Sequence, residues 1–131
     1  MVFRDFYIQL GRLFYSIAMS DGQIQKSELQ SFQKILQDEL VPLEDSEDPY
    51  GTDTAYYAEF ELERLIDEQA DKNEAFTSFI MFMEENSSAF DEKIKKLSYQ
   101  SAARIAKAHA GIEPAESKLL CELKRKLDDQ G

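Results

Sequence analysis

Apolar residues recur along this chain at steps of three and four, the spacing of one face of an α-helix. Six such stripes run over residues 3–18, 29–40, 57–66, 76–83, 94–106 and 119–127. The sequence holds no convincing alternating run of β-branched residues of the kind that predicts a strand. The pattern therefore predicts an all-α bundle of about six helices, packed antiparallel to their neighbours in a single domain over residues 1–131.

The breaks and the core follow from the same pattern. Residues 42–53 are rich in Pro, Gly, Ser and Asp, which predicts the longest loop of the chain. The small residues Ser98 and Ser101 lie on the apolar side of the fifth stripe, where another helix could approach closely. Three aromatic side chains are predicted to lie in the core: Phe14, Phe32 and Phe79.

An internal repeat relates the two ends of the chain. A shift of 88 residues aligns "IAMSDGQIQKSEL" at residues 17–29 with "IAKAHAGIEPAES" at residues 105–117. The identical pairs are Ile17 and Ile105, Ala18 and Ala106, Ile24 and Ile112, and Glu28 and Glu116. Each copy is expected to form a helix, a tight turn and a second helix. Two such units predict pseudo-twofold symmetry.

The first turn carries candidate metal chemistry. Asp21 follows an apolar helix, where a negative charge meets the negative pole of the helix dipole. Asp21 and Glu28 converge on one turn and supply hard oxygen ligands of the kind that Ca²⁺ or Mg²⁺ accepts. Glu116 would join them if pseudo-symmetry brings the turns together. His109 replaces the Asp in the second turn, and its imidazole better suits a transition metal.

A structural role, in which these residues start or cap helices, is the other interpretation. Pro114 fits the first position of a helix, which makes Glu116 the third residue and places its charge near the positive helix end. A Glu at that position can complete half of a capping box, and the repeat gives Glu28 the same role. Asp21 could cap the following helix or be an ordinary turn residue.

The chain carries the motif A-x-x-D-G-x-[IV]-x-x-x-E near both ends, and in this it resembles the tellurite-resistance proteins of the TerB-like fold. The first copy matches at Ala18, Asp21, Gly22, Ile24 and Glu28. The second keeps Ala106, Ile112 and Glu116 but has His109 and Ala110 where the family commonly has Asp-Gly. Over about residues 3–127, the resemblance implies a helical domain with an acidic site for a divalent cation such as Ca²⁺, Mg²⁺ or Mn²⁺. It also implies a scaffold or sensor role near membrane-associated stress complexes, and no established catalytic activity.

The charge of the chain is concentrated in one segment. The 131 residues carry a formal net charge of −11. Between Asp38 and Lys72 there are thirteen acidic and two basic residues, a net of −11, and the rest of the chain has thirteen of each. Nucleic acid and anionic membranes are therefore disfavoured as partners. The segment is either a solvated surface or a docking surface for cations or a basic protein.

No enzyme motif is present in the sequence. A chain with one His offers no Ser/His/Asp or Cys/His arrangement, and it has no P-loop and no H-E-x-x-H motif. Cys121 lies on the sixth apolar stripe and is expected to be a buried structural thiol. No apolar run approaches a membrane span, and "MVFRDFYIQL" lacks the features of a signal peptide, so we expect a cytoplasmic protein.

The leading hypothesis is a non-enzymatic binding or scaffold domain that holds a cation at the first turn and presents the acidic segment to a protein partner. The alternative is a metal-free protein–protein interaction domain that uses residues 38–72 alone. A homodimer through an exposed helix face stays open.

Overall fold

A computed structural model describes residues 3–19, 34, 56–107 and 114–129. These residues form five α-helices, which are α1 (Phe3–Ala18), α2 (Tyr57–Glu68), α3 (Lys72–Glu85), α4 (Glu92–Lys107) and α5 (Pro114–Asp129). A short 3₁₀ turn over Ser87–Ala89 separates α3 from α4, and no strand occurs in the described ranges. The all-α prediction is confirmed at this level. The helix predicted over residues 29–40 lies outside the described residues, except for Lys34. The loop predicted over residues 42–53 lies outside them as well. The count of six helices therefore stays a prediction.

Helix α1 occupies the centre of the bundle and packs against each of the other four helices. Its apolar face is wide enough to contact several neighbouring helices at once, and α1 is therefore buried over most of its circumference. The buried apolar side chains of α1 are Phe6, Tyr7, Leu10, Leu13, Phe14, Tyr15, Ile17 and Ala18. Phe14 and Phe79 are in the core as predicted, and Phe32 lies outside the described residues.

Phe90 is the centre of an aromatic cluster that joins α1 to α3. Its ring meets Phe6, Phe79 and Phe82 edge to face, with centroids 5.7, 6.2 and 6.2 Å away. Edge-to-face pairs of this kind stabilise by about 0.5–1.5 kcal/mol beyond the area they bury. Because Phe90 lies between two helical stripes, helical periodicity alone did not predict its burial.

Helix α2 approaches α1 most closely at a glycine. A Cβ placed on Gly11 would lie 2.6 Å from the carbonyl oxygen of Ala58 and 3.0 Å from the Cβ of Glu61. The first distance is far inside a normal contact, so the absence of a side chain at Gly11 is what lets the two backbones come this near.

The turn between α2 and α3 has three residues, and each has a structural task. Gln69 ends α2 in the left-handed conformation, with φ of 52°, and its N–H donates to the carbonyl of Ile66. The carbonyl of Ala70 accepts a hydrogen bond of 2.7 Å from the Tyr15 hydroxyl. Asp71 caps α3 because its Oδ1 accepts from the backbone N–H groups of residues 73 and 74.

Helix α4 packs on α1 and shares its pattern of burial. Seven buried positions of α1 coincide with buried positions of α4 at the repeat offset of 88 residues; in α4 these are Ile94, Lys95, Ser98, Ser101, Ala102, Ile105 and Ala106. The hydroxyls of Ser98 and Ser101 donate to carbonyls one turn earlier in the same helix. The second helix of the first repeat lies outside the described residues, so the pseudo-symmetric units stay a prediction.

Helix α5 begins at Pro114, as the sequence predicted, and packs on α4 and α1. Its buried stripe is narrow and consists of Leu120, Leu123 and Leu127. Cys121 is exposed, so the prediction of a buried thiol is wrong. The reason is angular: successive helical residues are about 100° apart, and one step past Leu120 already leaves a stripe this narrow. Among the described helices, none has the length and apolar content needed to cross a membrane.

Candidate functional site

The four residues predicted to bind a cation are largely beyond the described ranges. Asp21, Glu28 and His109 lie outside the described residues. Glu116 is the third residue of α5, the position that the capping interpretation requires, and its side chain is not described. Within the described ranges, no group of three or more His, Cys, Asp or Glu side chains could hold a metal ion. The cation site therefore stays a prediction.

The most distinctive polar feature of the described residues is a buried carboxylate. Glu61 lies on the side of α2 that faces the core, and only 7% of its surface is exposed. It accepts hydrogen bonds from Arg12 Nε at 2.7 Å and from Arg64 Nε and Nη2 at 2.6 and 2.9 Å. A carboxylate at this depth is tolerated only when it is paired and hydrogen-bonded.

These partners fix the protonation of the group. Burial by itself would raise the pKa of Glu61, but the hydrogen bonds from Arg64 and Arg12 outweigh it and hold that pKa below its ordinary value. The hydrogen bonds that Arg64 itself donates to Glu61 raise the pKa of Arg64 above its usual range. Glu61 is therefore ionised at neutral pH, and both guanidinium groups are held in place by it.

The network continues into α3. Arg12 Nη1 donates to Ser78 Oγ at 2.7 Å, and Ser78 Oγ donates to Gln9 Oε1 at 3.0 Å. Arg64 Nη1 also reaches Glu68 Oε2 at 2.7 Å, on the exposed side of α2. An exposed pair of that kind contributes little to stability. The buried part of the network ties three helices together where they meet.

A small opening lies beside this network, at the turn between α2 and α3. We call it the turn cleft; its volume is about 260 Å³ and it is lined by Arg12, Arg64, Leu65, Ala70, Asp71, Glu74, Ala75 and Ser78. The nearby Tyr15 is buried, and burial together with the charge of Asp71 raises the pKa of its hydroxyl. The cleft therefore combines fixed cationic and anionic groups with a partly apolar lining.

The sequence did not reveal this network. Arg12 and Glu61 are 49 residues apart, and the pairing of two helices decides whether they meet. One signal was available: Glu61 falls between Ala58 and Leu65 on the side of α2 that is buried. A charged residue at such a position usually has a partner of opposite charge.

The outer face of α2 is aromatic and acidic. Tyr57 and Phe60 are 38% and 58% exposed, and their rings meet edge to face with centroids 6.4 Å apart. Glu63 and Asp67 are exposed on the following turns of the same helix. We call these four residues the α2 outer face. The sequence placed both aromatic residues on the apolar stripe of α2, but the buried side consists of Ala58, Glu61, Leu62 and Leu65.

A second, larger groove lies between α1 and α3. It has a volume of about 490 Å³, and its lining includes Gln9, Thr77, Met81, Phe82 and Glu85. Met81 is 55% exposed there. It offers a large exposed apolar side chain on α3, in a groove whose lining contains no residue of the α2 outer face, and so serves as a control position below.

Comparison with known proteins returns no match for this chain: no family model, no curated protein and no solved structure resembles it closely enough to be recognised. The TerB-like resemblance therefore rests on the motif residues alone.

Proposed function

We propose that this protein is a non-enzymatic binding domain that receives a basic protein partner on the acidic segment 38–72, with the α2 outer face as the contact. One observation carries the proposal: Tyr57 and Phe60 are exposed on the side of α2 that also carries the exposed residues Glu63 and Asp67, at helical spacings of three and four. Apolar side chains presented next to a charged surface are typical of protein-binding sites.

The charge distribution along the chain supports a positively charged partner. The whole net charge of −11 lies between residues 38 and 72, while the remainder of the chain is neutral. A field of one sign concentrated on one segment attracts a basic partner and speeds its association. The same field repels nucleic acid and anionic lipid.

The aromatic pair supports a partner with apolar side chains as well. Tyrosine and phenylalanine present large rigid surfaces, and burying them supplies binding energy that exposed charges alone do not. A partner helix with a leucine-like residue over Phe60 and Lys or Arg one turn away would meet Glu63 and Asp67. The binding partner is thus a basic amphipathic segment.

The described carboxylates favour binding over catalysis. Glu61 has a shifted pKa, which is often a mark of a catalytic group, yet both of its oxygens are engaged by arginines. A carboxylate locked in this way cannot exchange a proton with a substrate at neutral pH. Its role is to hold three helices together.

The test is calorimetric titration with a synthetic amphipathic helical peptide of Leu and Lys, compared with a charge-reversed peptide of Leu and Glu. We expect the basic peptide to bind, and to bind more weakly as salt rises. Phe60→Ser should weaken binding, while Met81→Ser, an equally exposed apolar position on α3, should not. Equal binding of both peptides, or equal loss in the two variants, would contradict the proposal.

A divalent cation at the first repeat turn is the second candidate function. The shared burial pattern of α1 and α4 at the 88-residue offset favours the repeat on which the TerB-like resemblance depends. In this proposal Asp21 and Glu28 bind Ca²⁺, Mg²⁺ or Mn²⁺, with Glu116 and His109 contributed by the second unit.

Melting curves of metal-stripped protein, with and without each cation, test this second candidate. A bound cation raises the melting temperature by mass action, and Asp21→Asn should abolish the rise. If every divalent cation leaves the wild-type melting temperature unchanged, the carboxylates are helix caps and the cation proposal fails.

A further inference from the structure

The guanidinium group of Arg12 is held in place and still has N–H groups that can donate further hydrogen bonds. Its Nε is held by Glu61 and its Nη1 by Ser78, so the plane of the group cannot rotate freely. Its Nη2 makes no hydrogen bond to the residues that the structure describes. An arginine presents five donors in a rigid fork, and a carboxylate can accept two of them side by side. Arg12 therefore brings preorganised donors to the turn cleft.

Glu74 brings the opposite charge to the same cleft. Its backbone N–H is bonded to Asp71 Oδ1, but its carboxylate has no hydrogen bond or ion pair within the described part of the chain. Asp71 Oδ1 accepts both capping bonds, and its other oxygen accepts none among the same residues. Arg12 pairs with Glu61 and not with these carboxylates. Because Glu61 already pairs with the arginines, Arg12 offers hydrogen-bond donors to the opening, while Asp71 and Glu74 offer carboxylates that form no ion pair with the described residues.

The mixture of charges restricts the ligand. A simple anion could accept hydrogen bonds from Arg12 but would be repelled by Asp71 and Glu74, and a simple cation could pair with these carboxylates but would leave the donors of Arg12 unused. A molecule that carries a carboxylate and an ammonium group avoids both penalties. The volume of about 260 Å³ is below the range of roughly 300–1,000 Å³ typical of drug-sized ligands, which limits the occupant to a small molecule.

We propose that the turn cleft binds a small zwitterion with the chemistry of a free α-amino acid. Its carboxylate is received by Arg12, and its ammonium group by Glu74 with Asp71. Leu65, Ala70 and Ala75 supply apolar lining that suits a short aliphatic side chain. The site is separate from the α2 outer face, so it stands or falls independently of peptide binding.

The experiment is an NMR titration of the ¹⁵N-labelled full chain with L-alanine, using acetate and methylammonium at the same ionic strength as single-charge probes. We expect alanine to shift the amide signals of residues 70–75 in a saturable way, and each single-charge probe to bind about tenfold more weakly or worse. Saturation by acetate alone, equal to that by alanine, would show an anion site and overturn the zwitterion proposal. Unchanged amide signals at millimolar alanine would overturn it as well.

Glu74→Gln is the decisive variant. The substitution removes the negative charge and leaves the capping of α3 intact, because the cap uses the backbone of residue 74 and not its side chain. We expect it to weaken alanine binding about tenfold, the scale of a hydrogen bond to a charged group. Glu84→Gln, an exposed position on the same helix outside the cleft lining, is the matched control and should change nothing. Equal affinities for the wild type and Glu74→Gln would overturn the proposal.

Discussion

Helices α1 and α4 have the same length and bury matching positions, yet they use them differently. Seven positions of α1 and their counterparts 88 residues later are all buried. In α1 they carry large side chains such as Leu10 and Phe14, whereas the counterparts in α4 are Ser98 and Ala102. The comparison shows that two helices can bury the same positions and still contribute different side-chain volumes to the core.

The burial of α1 also extends further around the helix. Gly11, Tyr15 and Ser16 are buried, while their counterparts Tyr99, Ala103 and Arg104 are only partly buried. Position 12 differs as well: Arg12 is tied to Glu61, and its counterpart Gln100 is exposed. Helix α1 contacts the four other described helices and supplies packing volume, one glycine contact and one polar link, whereas half of the buried residues of α4 are Ser or Ala.

The largest effect should come from removing volume in α1. Leu10→Ala deletes a fully buried side chain from the helix that contacts the four other described helices, and such deletions cost about 2–5 kcal/mol. Urea unfolding should show a lower midpoint with an unchanged slope. A loss below about 1 kcal/mol would mean that α1 is not the centre of the packing.

Gly11→Ala should be the next largest. A Cβ there would press on a backbone carbonyl of α2, and overpacking of this kind costs up to about 3 kcal/mol. Higher helix propensity returns about 1 kcal/mol, which leaves a net loss of about 2 kcal/mol. Gln100→Ala on the exposed side of α4 is a control without overpacking, and it should change stability by only a few tenths of a kcal/mol, because Gln and Ala have similar helix propensities. If both variants gain stability in thermal unfolding, the close approach of α1 and α2 is wrong.

Glu61→Gln tests the polar link that Arg12 makes from α1. We expect a loss of about 1–3 kcal/mol at neutral pH, because two charge-assisted interactions are weakened at a buried site. The pKa of Glu61 is lowered in the folded protein, so the stabilisation is fully present above the unfolded value and is lost as pH falls through the folded pKa. The wild-type advantage should therefore hold from neutral pH down to about 4.3 and shrink below it.

Denaturant unfolding of both proteins at a series of pH values measures this difference. An advantage that grew on acidification would mean that Glu61 is protonated in the native state, contrary to its contacts with Arg12 and Arg64.

The smallest effect should come from Ser98→Ala, the counterpart of Leu10→Ala. Among the described residues, the serine hydroxyl bonds to the carbonyl of Ile94 in its own helix, and alanine is the better helix former. The two contributions oppose each other, and the net change should stay within about 1 kcal/mol. If this variant lost as much stability as Leu10→Ala, the contrast between the two helices would not hold.

The helical class could be predicted from the sequence because apolar spacing reports directly on which side of a helix is buried. Apolar spacing does not report burial that depends on contact with another helix. Glu61 is buried because an arginine from α1 reaches it, and Cys121 is exposed because the contact of α5 is only one stripe wide. Phe90 is buried by rings from two helices, and no local pattern reports such an arrangement.

The candidate sites also differ in how far the sequence alone could predict them. A turn motif of a few adjacent residues, such as the one around Asp21, is visible in a sequence because its members are local. The turn cleft needs Arg12 from one helix and Glu74 from another, and only the packing of α1 on α3 brings them to one opening. Composition located the acidic segment, but the exposure of Phe60 within it required the structure.

The turn between α2 and α3 leaves no room for a change in chain length. Gln69 closes α2, Ala70 accepts the bond from Tyr15, and Asp71 starts α3, so none of the three residues is spare. A single inserted residue would separate these three positions, so at least one of the three interactions would be lost. Length variation, affinity tags and inserted domains are therefore better placed outside residues 69–71, whereas substitutions at Gln69 that favour the left-handed conformation, glycine first, should be accepted readily.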